Sequence, residues 1–449
     1  MSDNFSLRRN GAEPRRILPS LTSPLTIFVA ACAVRGAYLW WRVYLTGSIG
    51  DDVINAEGNE AWNIAVSIAE GRGYSAPFGA ETGPTAWLTP IYPYLLATLF
   101  KLFGTASQPS FVVAAGLNEL FSALTALPIF YIGKRIGGRQ LGASAAWLWT
   151  IHPLSVTIAY EWIWYTSLST LLTAWILWAT LAIRDSTRAA RWSGYGLLWG
   201  ASAMTNPSVL VLAPFLFAWL IWGRKKFSGC ALRLSGLAAL CMVLVCVPWV
   251  TRNYLEFHQF LPLRSNFGFE LWVLNHDVPV DATEDTNLFL RLGEIAYCQQ
   301  RGREAIHFMA DNPSRFLYLT WERFLKTWTG HNHPVWRLAQ NHNWAPRIQM
   351  ILYSSLSLLG LFGLFVLFRA KSEYRWLLVV HPLVFPAVYY ITHTGPHYRL
   401  PIEPVLVVLA ALALASLARR PIAGVAPAGV KPMQTEPLGG FVARTTKVV

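Results

Sequence analysis

The sequence predicts an all-α polytopic membrane protein of about ten transmembrane helices. It has a folded first outer loop and a long outer loop between the seventh and eighth crossings. Three observations carry this. Only 14% of residues are charged against 54% hydrophobic, and mean hydropathy is +0.36, whereas a soluble domain carries about 25% charged residues. Apolar runs near the ~20 residues needed to cross a bilayer recur along the chain. Basic pairs and triplets (Arg8-Arg9, Arg15-Arg16, Lys134-Arg135, Arg224-Lys225-Lys226, Arg369 with Lys371, Arg419-Arg420) each flank an apolar run, as the charge bias of cytoplasmic loops requires. An outer-membrane barrel would show short alternating strands, and none are present.

In chain order, residues 1–20 read as a basic cytoplasmic N-terminus. No small-residue cleavage site follows, so the apolar run after it is a retained helix rather than a signal peptide. Crossings are expected near 21–46, 109–133, 140–159, 162–183, 192–206, 208–222, 231–250, 347–369, 376–391 and 402–418. Asn206-Pro207 divides the 192–222 run. The segment 88–104 is short and holds Pro90 and Pro93. Read as an interfacial or re-entrant helix, it leaves every basic cluster and both termini inside. Read as an eleventh crossing, it reverses the downstream loops. The bundle therefore comprises 21–250, with the first outer loop at 47–87, and 347–418. The segment 251–346 is an outer helical loop with amphipathic stretches near 288–310 and 313–329, the second with Asn312 as N-cap and Pro313 at the first helical position. Residues 419–449, rich in Gly, Pro and Ala, read as a disordered cytoplasmic tail.

The net charge of +13 is accounted for by the cytoplasmic bias, and no recognition motif accompanies it, so nucleic acid is excluded as a partner. Cys32, Cys230, Cys241 and Cys246 lie in or beside apolar segments and Cys298 in a loop, a spacing that matches neither a disulfide framework nor a zinc site.

Four regions fall on one outer face: the first loop, the corner at Tyr160-Glu161-Trp162, the long loop, and residues 392–401. In the first, Glu57 and Glu60 are three apart and share a helical face with Ile64 and Ile68; Gly71 and Gly73 end that helix. Such carboxylates serve either as a general base for an acceptor hydroxyl or as acids stabilising a helix start. In the last region, His393, His397, Tyr398 and Arg399 cluster between Pro396 and Pro401. Arg suits bidentate contact with phosphate oxygens, and the alternative is an aromatic and arginine anchor at the interface. Pro396 opposes a regular helix across His393 and His397, so no metal site is assigned. Arg252, where the seventh crossing emerges, is a second phosphate candidate or an interface anchor. Glu161 is a substrate-binding or a solvated turn acid.

These residues resemble the integral-membrane glycosyltransferases of the GT-C superfamily, most closely the branch of protein mannosyltransferases and lipid A aminoarabinose transferases (glycosyltransferase family 39 and bacterial relatives). The resemblance rests on Glu60 with Ile64-Ala65 and Gly71 to Ser75, Thr82 to Trp87, Pro90 to Tyr94, Asn206-Pro207-Ser208, Pro248-Trp249 with Arg252-Asn253, Asn312-Pro313, and Tyr398-Arg399-x-Pro401. It implies a helical bundle that transfers a sugar from a polyprenyl-phosphate donor to a lipid, glycan or protein acceptor. The location implied is the periplasmic face of the bacterial inner membrane. Glu60 or Glu57 would be catalytic, Arg399, His397 and Arg252 would hold the donor phosphate, and Tyr398 and Glu161 would contact substrate. Glu57 stands where relatives often carry Asp, and no adjacent Asp-Glu pair exists, which favours Glu60 as the base. No residue pattern requires a cofactor, and a divalent cation is compatible with the site. The rival expectation is a transporter or flippase of a lipid-linked sugar, which would place its ionisable groups near mid-bilayer.

Overall fold

The computed structural model describes residues 21–46, 59–222, 229–276, 282–330 and 344–418. Those residues are helical and connecting loop, with a single isolated β-bridge, Ser75 to Pro84.

Helix α1 (Pro24–Trp40) closes in a π-turn at Trp41–Leu45. The first loop contributes α2 (Glu60–Ala69) and leads into α3 (Ile91–Phe103). Helix α4 (Gln108–Leu124) is followed by α5 (Ala126–Ile151), α6 (Pro153–Glu161), α7 (Thr166–Ile183) and α8 (Ala189–Ala203). A 3-10 turn (Pro207–Leu212) runs into α9 (Ala213–Trp222), and α10 (Gly229–Phe257) follows. The long loop holds α11 (Phe267–Trp272), α12 (Ala282–Leu292), α13 (Glu294–Asp311) and α14 (Pro313–Thr329). The chain ends with α15 (Trp344–Arg369), α16 (Arg375–Val384), α17 (Ala387–Ile391), α18 (Pro396–Arg399) and α19 (Glu403–Leu417).

Six of these segments are long and apolar enough to cross a membrane: 24–45, 108–151, 166–183, 229–257, 347–369 and 396–417. The longest is doubled. Gly137 and Gly138 leave helical geometry, Gly138 at φ +87°. A Cβ on Gly133 would lie 2.8 Å from the Gly142 Cα. Nine residues of straight helix would separate those positions by ~13 Å, so α5 folds back on itself, as the separate segments 109–133 and 140–159 anticipate. Asn206-Pro207 divides the next run as expected. The Asn206 side chain accepts from the Ser208 amide at 3.2 Å and donates to Ser169 at 3.1 Å. Helix α3 has 13 residues, a length of ~20 Å against the ~30 Å of a hydrocarbon core, and it packs along α2.

At the centre lies α19, whose residues from Glu403 to Ala413 are all buried. It packs against α15 and α5. A Cβ on Gly363 would come within 2.1 Å of the Leu409 carbonyl oxygen, so only glycine admits this approach. A buried polar knot joins α1, α4 and α6: Arg35 donates to Ser122 and Ser155, each at 3.0 Å, and lies 3.9 Å from Glu119.

The long loop departs from expectation in two details. Gly293, at φ +75°, breaks the 288–310 stretch into α12 and α13. Asn312 sits at the start of α14, but its side chain donates back to the Phe308 carbonyl at 3.2 Å instead of capping. Helix α14 has two faces: Leu317, Tyr318, Trp321 and Phe324 are exposed, while Arg323 and Thr327 are buried.

Candidate active site

The first loop is pinned before it offers any chemistry. Asn59 caps α2 by accepting from the Trp62 amide at 2.8 Å, and its amide donates to the Ile163 carbonyl. This places Glu60 in the first turn. Gly71 and Gly73, at φ +81° and +77°, terminate the helix as the sequence indicates. Beyond them the loop is clamped to the long loop. Buried Glu294 accepts from the Thr85 hydroxyl, from the Ala86 amide at 2.7 Å and from the Ser265 hydroxyl at 2.6 Å. Arg252 adds a second clamp, donating to the Thr85 and Tyr74 carbonyls at 2.7 and 3.1 Å.

The turn before α18 is held from the other side. Arg323 of α14 donates to the Tyr390, Leu274 and Asn275 oxygens, at 3.2, 2.6 and 2.9 Å. Thr327 bonds Thr394 at 3.0 Å, and Asn275 donates to the Ile391 carbonyl at 2.9 Å. These contacts bring His393 opposite Glu270 of α11.

Between these anchored loops lies a cleft of two adjoining chambers. The larger, about 660 Å³, is lined by Glu60, Trp87, Trp162, Lys326 and His397 among others. The smaller, about 240 Å³, is lined by Arg264 and by apolar side chains such as Leu263, Phe267 and Val388. Tyr165, Glu270, His393 and Tyr398 line both. All four regions that the sequence places on one face contribute to this cleft.

Charges in it are unusually balanced between protonation states. Burial, helped by the neighbouring Glu270 charge, raises the Glu60 carboxyl to about 7. Burial likewise raises Glu270 to about 7, opposed by Arg264. Both carboxyls therefore change charge near neutrality, chiefly because of burial. Burial lowers Lys326, and it lowers His393 to about 4, with Arg323 and Lys326 adding to the effect. His393 is therefore a neutral imidazole near pH 7.

Arg264 is the outlying group. Its guanidinium lies 4.9 Å from the Tyr165 ring centroid and donates once, to the Tyr165 hydroxyl at 3.4 Å. Its Nε and one terminal nitrogen are buried with no partner among the described residues. Unpaired buried donors on a cation are costly, and an anion in the smaller chamber would satisfy them. Among the described residues no group of three or more His, Cys, Asp or Glu side chains has the arrangement to hold a metal ion.

The residues expected from sequence divide sharply. Glu60, His397 and Tyr398 line the cleft. Glu57 lies outside the described residues, since α2 begins at Glu60. Glu161 is exposed at the end of α6 and lines neither chamber, although its neighbour Trp162 does. Arg252 is occupied as a loop clamp. Arg399 is 1% exposed and outside both chambers. It donates to Glu403 at 3.2 Å, to the Thr327, Trp328 and Tyr353 carbonyls at 2.8, 3.1 and 3.2 Å, and to the Ser357 hydroxyl at 3.2 Å. All three Arg399 nitrogens are engaged within the protein and Arg252 is spent on two carbonyls, whereas Arg264 faces the smaller chamber with two nitrogens unpartnered. Sequence reasoning missed Arg264, Glu270 and Lys326, which sit in a long loop without a motif. His393 was visible only as one of two clustered histidines.

Residues 87–250 match the family model described as dolichyl-phosphate-mannose-protein mannosyltransferase. The Archaeoglobus fulgidus oligosaccharyltransferase in its apo form superposes with a TM-score of 0.54 at 13% identity, covering 88% of this chain and 50% of that one. The same protein, AglB, in complex with an inhibitory peptide and a dolichol-phosphate also gives 0.54, at 14% identity and the same coverage. ArnT from Cupriavidus metallidurans bound to undecaprenyl phosphate gives 0.42 at 14% identity, covering 83% of this chain and 60% of that one. The chain thus spans about half the length of the oligosaccharyltransferase whose fold it shares. No curated protein sequence matches it. The resemblance to GT-C glycosyltransferases read from the sequence is borne out by the family match over residues 87–250, and the chain has a polytopic helical membrane fold.

Proposed function

We propose that this protein is an inverting membrane glycosyltransferase of the GT-C type. It transfers a sugar from a polyprenyl-phosphate donor to an acceptor at the periplasmic face of a bacterial cytoplasmic membrane. The observation that carries this reading is one cleft with a titratable carboxylate, Glu60, in one chamber and a half-unpartnered guanidinium, Arg264, in the other. The donor phosphate sits against Arg264, its lipid tail leaving past Leu263, Phe267 and Val388. The sugar then lies at the seam of the chambers, and the acceptor approaches through the larger one. Glu60 takes the acceptor's proton as the glycosidic bond to phosphate breaks. A carboxylate raised to about 7 is matched to that task near neutral pH. Arg264 and Lys326 stabilise charge gathering on the leaving phosphate. The fold likeness to a protein solved with dolichol-phosphate supports a polyprenyl carrier.

The transporter reading is less well supported. Inside the bundle Arg35 and Glu119 are paired with each other and line neither chamber, whereas the titratable groups that face open space lie between the loops. The deciding experiment incubates the purified full chain in lipid with candidate polyprenyl-phosphate sugars and measures release of the polyprenyl phosphate. Acceptor-dependent release that Glu60→Gln lowers by about 10²–10⁴ is expected. Movement of intact donor across the bilayer, without release, would instead establish transport.

A further inference from the structure

We propose that Glu270, His393 and Tyr398 form a proton relay that protonates the leaving phosphate, which makes Tyr398 a second catalytic residue. The inference rests on the placement of the donor phosphate beside Arg264 given above.

The three side chains are adjacent. The Glu270 Oε2 lies 3.3 Å from His393 Nδ1, a buried nitrogen with no hydrogen-bond partner of its own, and His393 Nε2 lies 2.6 Å from the Tyr398 hydroxyl. The other Glu270 oxygen is fixed by the Asn266 amide at 2.7 Å. The Tyr398 ring is stacked on Tyr389 at 4.6 Å and against His397 at 4.0 Å, so its hydroxyl cannot swing away. Tyr398 lines both chambers, so the residue stands at their seam, where the proposed bond to phosphate breaks.

A neutral imidazole carries one N–H, and its position is set by the partner on the other nitrogen. When Glu270 is ionised, its charge 3.3 Å away draws the imidazole proton onto Nδ1. Nε2 then accepts the Tyr398 O–H, which is held away from the cleft. When Glu270 is protonated, its O–H donates to Nδ1, Nε2–H donates to the Tyr398 oxygen, and the Tyr398 O–H points into the cleft toward an anion. The groups around this line are Glu60 from α2, Arg264 from the loop before α11, Lys326 and Arg323 from α14, and His397 from the same turn. Glu60 and Glu270 both change charge near neutrality, so two of their states hold one proton between them, Glu60 ionised and Glu270 protonated or the reverse.

The first of these states runs the reaction. The acceptor oxygen or nitrogen bonds to the sugar's anomeric carbon, and that carbon's bond to the phosphate oxygen breaks. The acceptor's proton goes to Glu60. The Tyr398 proton goes to a phosphate oxygen, the Nε2 proton replaces it on Tyr398, and the Glu270 proton moves to Nδ1. Glu60 ends neutral, Glu270 ends ionised, and the carrier leaves as a singly charged hydrogen phosphate, so charge and protons balance. Exchange with water resets the two carboxyls. Paired carboxyls, one as base and one as acid, are the established solution for glycosidic bonds to sugars; here one of them works through two intermediaries.

The test uses the full chain in lipid nanodiscs, in a Glu60→Gln background that removes the neighbouring titration. The probe is the methyl ester of a polyprenyl phosphate, a monoanion throughout the range like the donor's diester. Its affinity should fall about tenfold to a hundredfold as pH rises through about 7, where Glu270 ionises. Tyr398→Phe and His393→Gln should give flat profiles at the weak, high-pH level. Glu270→Gln, whose amide can donate to Nδ1, should give a flat profile at the tight level. If Glu270 acts only by repelling the anion, Tyr398→Phe keeps the pH dependence, and the relay is overturned. Arg264→Ala separates the two proposals: loss of probe binding upholds the phosphate site whatever Tyr398→Phe shows. Unchanged binding removes the phosphate from this chamber and the relay with it.

Discussion

Two arginines flank the same cleft and have opposite fates. Arg399, in the turn before α19, spends its guanidinium on Glu403, three carbonyls and Ser357, and its plane lies 4.1 Å from the Tyr353 ring centroid. Arg264, in the loop before α11, makes one long bond to Tyr165 and leaves two nitrogens unpartnered. Arg399 is buried and Arg264 partly so. What separates them is whether the protein itself completes their hydrogen bonding. A completed site is architecture, and an incomplete one is waiting for a ligand.

That contrast can be broken by substitution. Arg399→Ala leaves buried Glu403 with only the His152 imidazole, at 3.7 Å, beside it, and breaking such a buried pair costs about 3–5 kcal/mol; we expect loss of folded, monodisperse protein, read as melting temperature in detergent. A variant that melts like the parent but loses donor would return Arg399 to the site. Arg264→Ala should behave in the opposite way. Its melting should be nearly unchanged, while donor affinity falls by about 1.5–3 kcal/mol, measured by titration with a polyprenyl phosphate. Arg264→Lys should recover only part of this, because an ammonium cannot make the bidentate contact. Arg252→Lys tests the intermediate case: it keeps one carbonyl contact of the clamp on Tyr74 and Thr85, and we expect about 0.5–1.5 kcal/mol of stability lost with donor affinity intact. The mildest test is pH. Turnover should rise as pH climbs through about 7, where Glu60 ionises, and fall above it as Glu270 loses its proton. The apparent values belong to the pair. In Glu60→Gln any residual rate should lose the rising limb alone.

Much of the fold is written in one-dimensional pattern. Each of the ten apolar segments read from the sequence coincides with helix, and the breaks at Asn206-Pro207 and Gly71 follow from residues whose backbone chemistry is local. Glu60 was legible for the same reason: a carboxylate at a helix start, followed by a glycine stop, is a pattern. Arg399 misled because a sequence shows that an arginine lies in a tight turn but not which carbonyls surround it; Thr327 and Trp328 are about seventy positions away. Arg264, Glu270 and Lys326 were silent for the converse reason. Their roles come from the Glu294 and Arg323 clamps, which tie the first loop and the last turn to the long loop through contacts between distant parts of the chain. His393 stands in the sequence only as one of two clustered histidines, and its neighbours Glu270 and Tyr398, one near each ring nitrogen, come from the fold.

The two faces of α14 have a mechanical consequence. One face presents Leu317, Tyr318, Trp321 and Phe324 outward, a set of side chains at home in the headgroup layer. The other face, through Arg323 and Thr327, carries the turn that aims His393 at Glu270. We expect that thinning or thickening the bilayer shifts α14 and with it the turn that carries His393, while Arg264, bonded to Tyr165 rather than to α14, stays in register. Reconstitution in bilayers of stepped acyl-chain length separates the two: turnover should vary with thickness and carrier affinity should not, and a parallel change in both would show that the cleft moves as one body.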